Sequence, residues 1–116
     1  MAEECVFCKM AAGKIPVSKI YENESFFSIL DLNQDVKGHA LVISKKHFET
    51  TLDLPVVLGR DFLDCVKSSS FKILKNEKAE GFNVLGNNFS AAGQAVKHFH
   101  IHIFPRKSND GFKVFG

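Results

Sequence analysis

His98-Phe99-His100-Ile101-His102-Ile103-Phe104 alternates imidazole with apolar side chains. Successive strand residues point to opposite faces, so on a strand the three imidazoles share one face and Phe99, Ile101 and Ile103 share the other. Neighbouring imidazole-bearing residues then stand about 6.5 Å apart, at roughly 3.3 Å per residue. Three titratable rings on one exposed face bring no packing gain, and that face reads as chemistry rather than as the polar side of an edge strand. The remaining histidines, His39 and His47, form a second group. His39 follows Gly38 at the head of an apolar run, where its ring can reach a triad on the neighbouring strand.

Outward from the triad, Val96 through Phe104 reads as the last strand. Phe82 through Gly86 reads as the one before it, and the loop Asn87 to Gly93 joins them. Lys19-Ile20-Tyr21-Glu22 and Ser25-Phe26-Phe27-Ser28-Ile29-Leu30 are rich in β-formers, with Asn23 as the turn of a hairpin. His39-Ala40-Leu41-Val42-Ile43-Ser44 suits a strand covered on both faces or lying at a dimer seam. Asp53, just before Leu54-Pro55, reads as a helix cap with Pro55 in the first turn. Leu58, Phe62, Cys65/Val66, Ser69 and Ile73 step by three or four, one buried helical stripe that Gly81 ends. The fold class is α+β: a single antiparallel meander sheet packed on one side by one long helix.

A chain of 116 residues, read as a single domain over 1–116, has no room for a second. Its 45% hydrophobic and 24% charged residues exclude disordered and collagen-like classes, and twelve Phe supply one core. A net charge of +2, with 15 basic and 13 acidic residues scattered along the chain, is too weak a bias for a nucleic-acid partner. No run approaches the roughly 20 apolar residues of a membrane span. The acidic start, Met1-Ala2-Glu3-Glu4, is unlike a signal peptide, so the expectation is a cytoplasmic protein without a membrane partner.

The triad stretch resembles the His-φ-His-φ-His-φ-φ motif of the HIT family of nucleotide hydrolases and transferases. The match extends through Asp31, Gly38 to His47, Asn87 and Ala92-Gly93-Gln94-Ala95-Val96, and so covers nearly the whole chain; it looks like the small, Hint-like branch. The resemblance implies an HIT-like sheet extended across a homodimer, with the long helix and a strand edge at the interface and the Phe112 and Phe115 tail consistent with it. It implies His100 as the nucleophile that holds a nucleotidyl intermediate, His102 as donor to phosphate oxygens or leaving group, and His39 as their orienting partner, with His98 completing the catalytic histidines. Asp31 would take the ribose hydroxyls. Asn87, Gly93 and Gln94 would face phosphate, and Phe7, Ile29 and Leu32 would wall the base. Ala95 stands where the family usually has Ser or Thr beside the scissile phosphate, which predicts a slower enzyme or another leaving-group preference.

The implied substrate is a purine nucleoside 5′-phosphoramidate, with a dinucleoside polyphosphate as the alternative. A reading of another class is a non-catalytic nucleotide-binding or scaffold protein; Ala95 speaks for it, and an intact nucleophile speaks against it. Cys5-Val6-Phe7-Cys8 has the two-residue gap that lets two thiolates hold one metal, with His47 and His98 available to close a Cys₂His₂ shell. Many family members with this pair bind zinc, so the resemblance implies a structural zinc with its segment at about residues 1–15, and a metallated His98 would be no free acid or base. A thioredoxin-like redox role lacks its βαβ setting. Cys65 falls in the helical stripe as a small buried residue.

Overall fold

The computed structural model describes residues 4–114; Met1 to Glu3 of the expected zinc segment, and Phe115 of the tail, lie outside the described residues. A short helix α1 (Val6–Ala11) precedes strands β1 (Tyr21–Glu22), β2 (Phe26–Leu30) and β3 (Ala40–Ser44). The long helix α2 (Gly59–Glu77), β4 (Gly81–Leu85) and β5 (His100–Arg106) follow. The five strands form one sheet in the order β1-β2-β3-β5-β4, antiparallel at every pairing. The first three run as a meander. The crossover through α2 then carries the chain to the far edge, and β5 returns between β3 and β4. The triad strand thereby lies inside the sheet rather than at its rim.

β2 and β3 are buried on both faces because the sheet carries two cores. Phe26, Ala40, Val42, Phe99, Ile101 and Ile103 meet Cys65, Val66 and Ile73 of α2. Phe27, Ile29, Leu41 and Ile43 meet Phe7, with Met10 and Val17 packed at the margin. The sequence expectation of a helix on one side and an open imidazole face on the other is corrected here: α1 covers part of the second face. Phe7 and Met10 are three residues apart, so a single short turn presents both to the sheet.

Three element ends also differ from the sequence reading. Asp53 and Pro55 serve short 3₁₀ turns, Thr51–Asp53 and Val56–Leu58, and α2 begins only at Gly59. The Asp53 carboxylate accepts from Thr50 N, while Thr50 Oγ1 accepts from Leu52 N, a capping box for the turn. α2 stops at Glu77 because Lys78 takes the left-handed conformation (φ 52°), and Gly81 opens β4 instead of ending the helix. β5 starts at His100 rather than Val96 and runs through Pro105 to Arg106, leaving His98 just ahead of the ladder. Gly38 (φ +91°) turns the chain into β3 where a Cβ would lie 2.6 Å from Glu77 Cγ and 2.9 Å from Pro105 Cγ. Only glycine fits that approach.

Candidate active site

β3 and β5 pair with Ala40 opposite Ile103 and Leu41 opposite His102, which brings His39 at the head of β3 beside the triad. His100 Nδ1 donates to the His98 carbonyl at 2.7 Å. A carbonyl only accepts, so the ring proton sits on Nδ1 and the Nε2 lone pair is left for chemistry. His39 Nδ1 donates likewise to the Asn33 carbonyl (3.2 Å), so His39 Nε2 accepts from His102 Nδ1 at 2.9 Å. Phe104 stacks on His39, ring centroids 4.2 Å apart, and holds the pair in register. Asp31 accepts at Oδ1 from Asn33 N, while its Oδ2 lies 3.7 Å from His39 Nε2.

His100 and His102 lie at one side of a cleft of about 700 Å³ whose other walls are apolar: Phe7, Met10, Val17, Ile29 and Leu41. Asp31, Leu32 and Ala95 line it as well, with Leu32 fully exposed. Its contents are an apolar slot, one carboxylate and two imidazoles, which suit a planar base, a ribose and a phosphate. The sequence reading missed Met10, Val17 and Leu41. The helical spacing of Phe7 and Met10 was the available signal for the first; the Asn33 and His98 carbonyls, being backbone, left none.

Gln94 is corrected. Its side chain turns away from the cleft: Oε1 accepts from Phe89 N (2.7 Å), and Nε2 donates to Glu49 O (2.6 Å) and Val96 O (3.1 Å). Its own N–H is spent on Phe89 O and that of Gly93 on Ser90 O, so neither faces a phosphate. With Phe89 and Val96 on the loop and Glu49 across from it, these three hydrogen bonds tie residues 89–96 to the segment after β3. Gly93 (φ +92°) lies against the Asn87 amide, and Asn87 is not among the residues lining the cleft. Phe112 of the tail packs on Phe104 of its own chain, centroids 5.1 Å apart.

Burial, and then the neighbouring His100 and His39, pull the His102 pKa down from 6.5 to about 4. The unfolded chain takes up that proton at about 6.5 and the folded chain only at about 4, so stability is full above the upper value and drains as pH falls through the window. Urea titrations from pH 7 to 4 are expected to lose up to about 3 kcal/mol through this group, and His102→Gln to flatten the loss. An unchanged slope in that variant would assign the effect elsewhere.

His98 leaves the catalytic face. Its Nε2 donates to the Ser44 carbonyl (2.7 Å), so Nδ1 keeps its lone pair and points at Cys5 Sγ (3.2 Å), Cys8 Sγ (3.4 Å) and His47 Nδ1 (3.1 Å). Cys8 Sγ stands 3.3 Å from His47 Nδ1. A tetrahedral ion with bonds of about 2.0–2.3 Å has donor edges of roughly 3.3–3.8 Å. Four donors at 3.1–3.4 Å fit that shell closely, and the His98–Ser44 bond is the outer support such a ligand needs. Burial and the adjacent Cys5 push the Cys8 thiol up to about 11, an opposition to thiolate that a cation reverses.

Among the described residues no helix is long and apolar enough to cross a membrane. The sequence model of the HIT domain matches residues 12–109. "Protein hit" of Bacillus subtilis is 42% identical over 96% of this chain and 77% of its own length. "Adenylylsulfatase HINT3" of Arabidopsis thaliana is 40% identical over 95% of this chain and 56% of its own. "Adenosine 5'-monophosphoramidase HNT1" of Candida albicans is 37% identical over 89% of this chain and 70% of its own. A zinc-bound histidine triad protein of Mycobacterium smegmatis superposes with a TM-score of 0.88, at 32% identity, over 98% of this chain and 83% of that one. A family match spanning most of the chain, on a fold that carries the triad beside this cleft, settles the classification: the chain belongs to the HIT domain family.

Proposed function

We propose that the protein hydrolyses purine nucleoside 5′-phosphoramidates through a nucleotidyl intermediate on His100. The observation that carries this reading is the His100–His98 bond, which commits Nδ1 and frees Nε2 on a ring facing an apolar slot. The base enters between Phe7 and Ile29, and Asp31 accepts from the ribose hydroxyls. His100 Nε2 attacks the α-phosphorus and the P–N bond breaks, its electron pair leaving with the amine. The phosphate's negative charge works against burial and favours an imidazolium on His102, whose Nε2–H passes its proton to that amine. Water then attacks the phosphorus, the P–Nε2 bond breaks, and His102 takes the water's proton. The nucleoside monophosphate leaves.

Ala95 supports the expectation of slower turnover. It lies on the cleft without a hydroxyl, so one hydrogen bond to the scissile phosphate or leaving amine is missing. Release of AMP is to be measured side by side from adenosine 5′-phosphoramidate and a diadenosine polyphosphate. Faster amidate turnover is expected, and Ala95→Ser should raise it by about tenfold, the worth of one such bond at 1.4 kcal/mol. Faster turnover of the polyphosphate would select the alternative substrate, and binding of AMP without turnover of either would select the non-catalytic reading.

A structural Zn²⁺ on Cys5, Cys8, His47 and His98 belongs to the same reading. Such an ion supplies a closed four-coordinate link between the amino-terminal segment and the sheet, and no open position for water. We further propose a homodimer through the β4 edge and the outer face of α2, where Phe82, Val84, Leu63 and Phe71 are exposed. Light scattering is expected to return twice the chain mass; a monomer at every concentration would refute it. Paired thiols kept reduced for metal suit the cytoplasm.

A further inference from the structure

Asp31, His39 and His102 bring together a second set of donor atoms, one from each residue and all within 4.8 Å of one another. His39 Nε2 lies 2.9 Å from His102 Nδ1 and 3.7 Å from Asp31 Oδ2. These separations bracket the roughly 3.3 Å edge of a tetrahedral ion with bonds near 2.0–2.1 Å. Two of the donors are also held from behind by one residue's backbone. The Asn33 carbonyl accepts from His39 Nδ1–H, and the Asn33 N–H donates to Asp31 Oδ1, which turns His39 Nε2 and Asp31 Oδ2 toward His102. This is the outer support that aims metal-bound imidazoles and carboxylates, and His98 repeats it with the Ser44 carbonyl in the cysteine cluster. The side chains of His39 and Asp31 are only 10% and 22% exposed, so little water competes for their lone pairs.

We propose that Asp31, His39 and His102 form a second, exchangeable site for a divalent transition-metal ion, and that the ion and the nucleotide exclude one another from the cleft. The exclusion rests on the nucleotide reading of the cleft; the metal site itself does not. On binding, the His102 proton moves from Nδ1 to Nε2, the two ring nitrogens donate lone pairs, and Asp31 Oδ2 supplies the anionic ligand. No proton is released. The fourth position faces the cleft that Asp31 and His102 line, which makes this site open where the cysteine site is closed. The imidazole and carboxylate donors suit Zn²⁺, Co²⁺ or Ni²⁺ rather than a soft Cu(I) ion. The ion occupies the carboxylate oxygen that the ribose needs and breaks the His102–His39 bond, so the metal-loaded site cannot hold substrate in working order.

The test is equilibrium dialysis of the full chain against Co²⁺ near neutral pH, with absorption spectra at each step. Two equivalents per chain are expected: one with thiolate-to-cobalt charge-transfer absorption in the near ultraviolet, and one with visible ligand-field bands alone. Asp31→Asn and His39→Gln should each weaken the second equivalent at least tenfold and leave the thiolate band intact, which also reports that the variants fold. AMP, whose binding is measured by calorimetry with only the first equivalent bound, should raise the apparent dissociation constant of the second equivalent in proportion to its concentration. A single, thiolate-bound equivalent in the parent, or a second one surviving in both variants, would overturn the site. A second equivalent indifferent to bound AMP would overturn the exclusion. Absence of amidate turnover in protein carrying only the first, thiolate-bound equivalent counts against the hydrolase reading alone.

Discussion

Replacing His100 by alanine is expected to slow AMP release from adenosine 5′-phosphoramidate by at least about a thousandfold, because it removes the ring nitrogen proposed to carry the covalent intermediate. The ring meets Phe7 and His102 edge-on, each at 5.2 Å between centroids, and donates to the His98 carbonyl; the variant should lose some stability but fold and still bind AMP. Two readouts separate a lost nucleophile from a damaged cleft. AMP affinity is expected within a few-fold of the parent, since the Asp31 carboxylate and the apolar slot are untouched. Acid-labile, alkali-stable nucleotidyl-protein should form with the parent and be absent from the variant. Residual turnover at a tenth of the parent's rate would place the nucleophile elsewhere, and the free Nε2 of His100 would then be a coincidence of packing.

The second large effect is expected from removing the cysteine pair. Zinc content of protein purified without chelator should be near one per chain, and Cys5→Ala with Cys8→Ala should bring it to background. At ion concentrations about a thousandfold above the dissociation constant, a bound ion contributes about 4 kcal/mol of stability, so the melting temperature should fall by roughly 10–20 °C. The loss extends to activity through geometry. The carbonyl of His98 fixes the tautomer of His100, and Phe7, between the two cysteines, walls the cleft. Releasing the amino-terminal segment frees both, so the rate constant should drop even at saturating substrate. A parent protein without stoichiometric metal would remove zinc from this account, and the four donors at 3.1–3.4 Å would be an ordinary hydrogen-bonded cluster.

The two sites share one segment of chain, and this links stability to chemistry. His98 and His100 are two residues apart, yet one ring enters the cysteine cluster and the other the cleft. The strand begins between them, at His100. His98 is fully buried and held by Ser44, while His100 holds the His98 carbonyl. A change at His98 therefore reaches the His100 ring through a single peptide unit.

What the sequence determined by itself is what period and residue type determine. The alternation at 98–104 assigned a strand and put the His100 and His102 rings on one side of it, because side-chain direction on a strand has a fixed period. The stripe from Leu58 to Ile73 assigned the long helix, and the spacing of Cys5 and Cys8 pointed to a metal-capable pair, which the fold places beside His47 and His98. The pairing of His39 with His102 was legible in outline, since a histidine at the head of one strand can meet its neighbour. Tertiary structure decided the rest, for reasons of register and backbone chemistry. Strand order depends on which edge a crossover helix reaches, and no local pattern encodes that; β5 between β3 and β4 is the consequence. Ring tautomers depend on carbonyls of His98 and Asn33, which every residue type carries alike. The inward turn of Gln94 depends on Glu49, far away in sequence, offering a carbonyl at 2.6 Å. The second metal-capable set exists only because Asn33 aims the far ends of His39 and Asp31 at one point, a convergence that forms when the chain closes and not before.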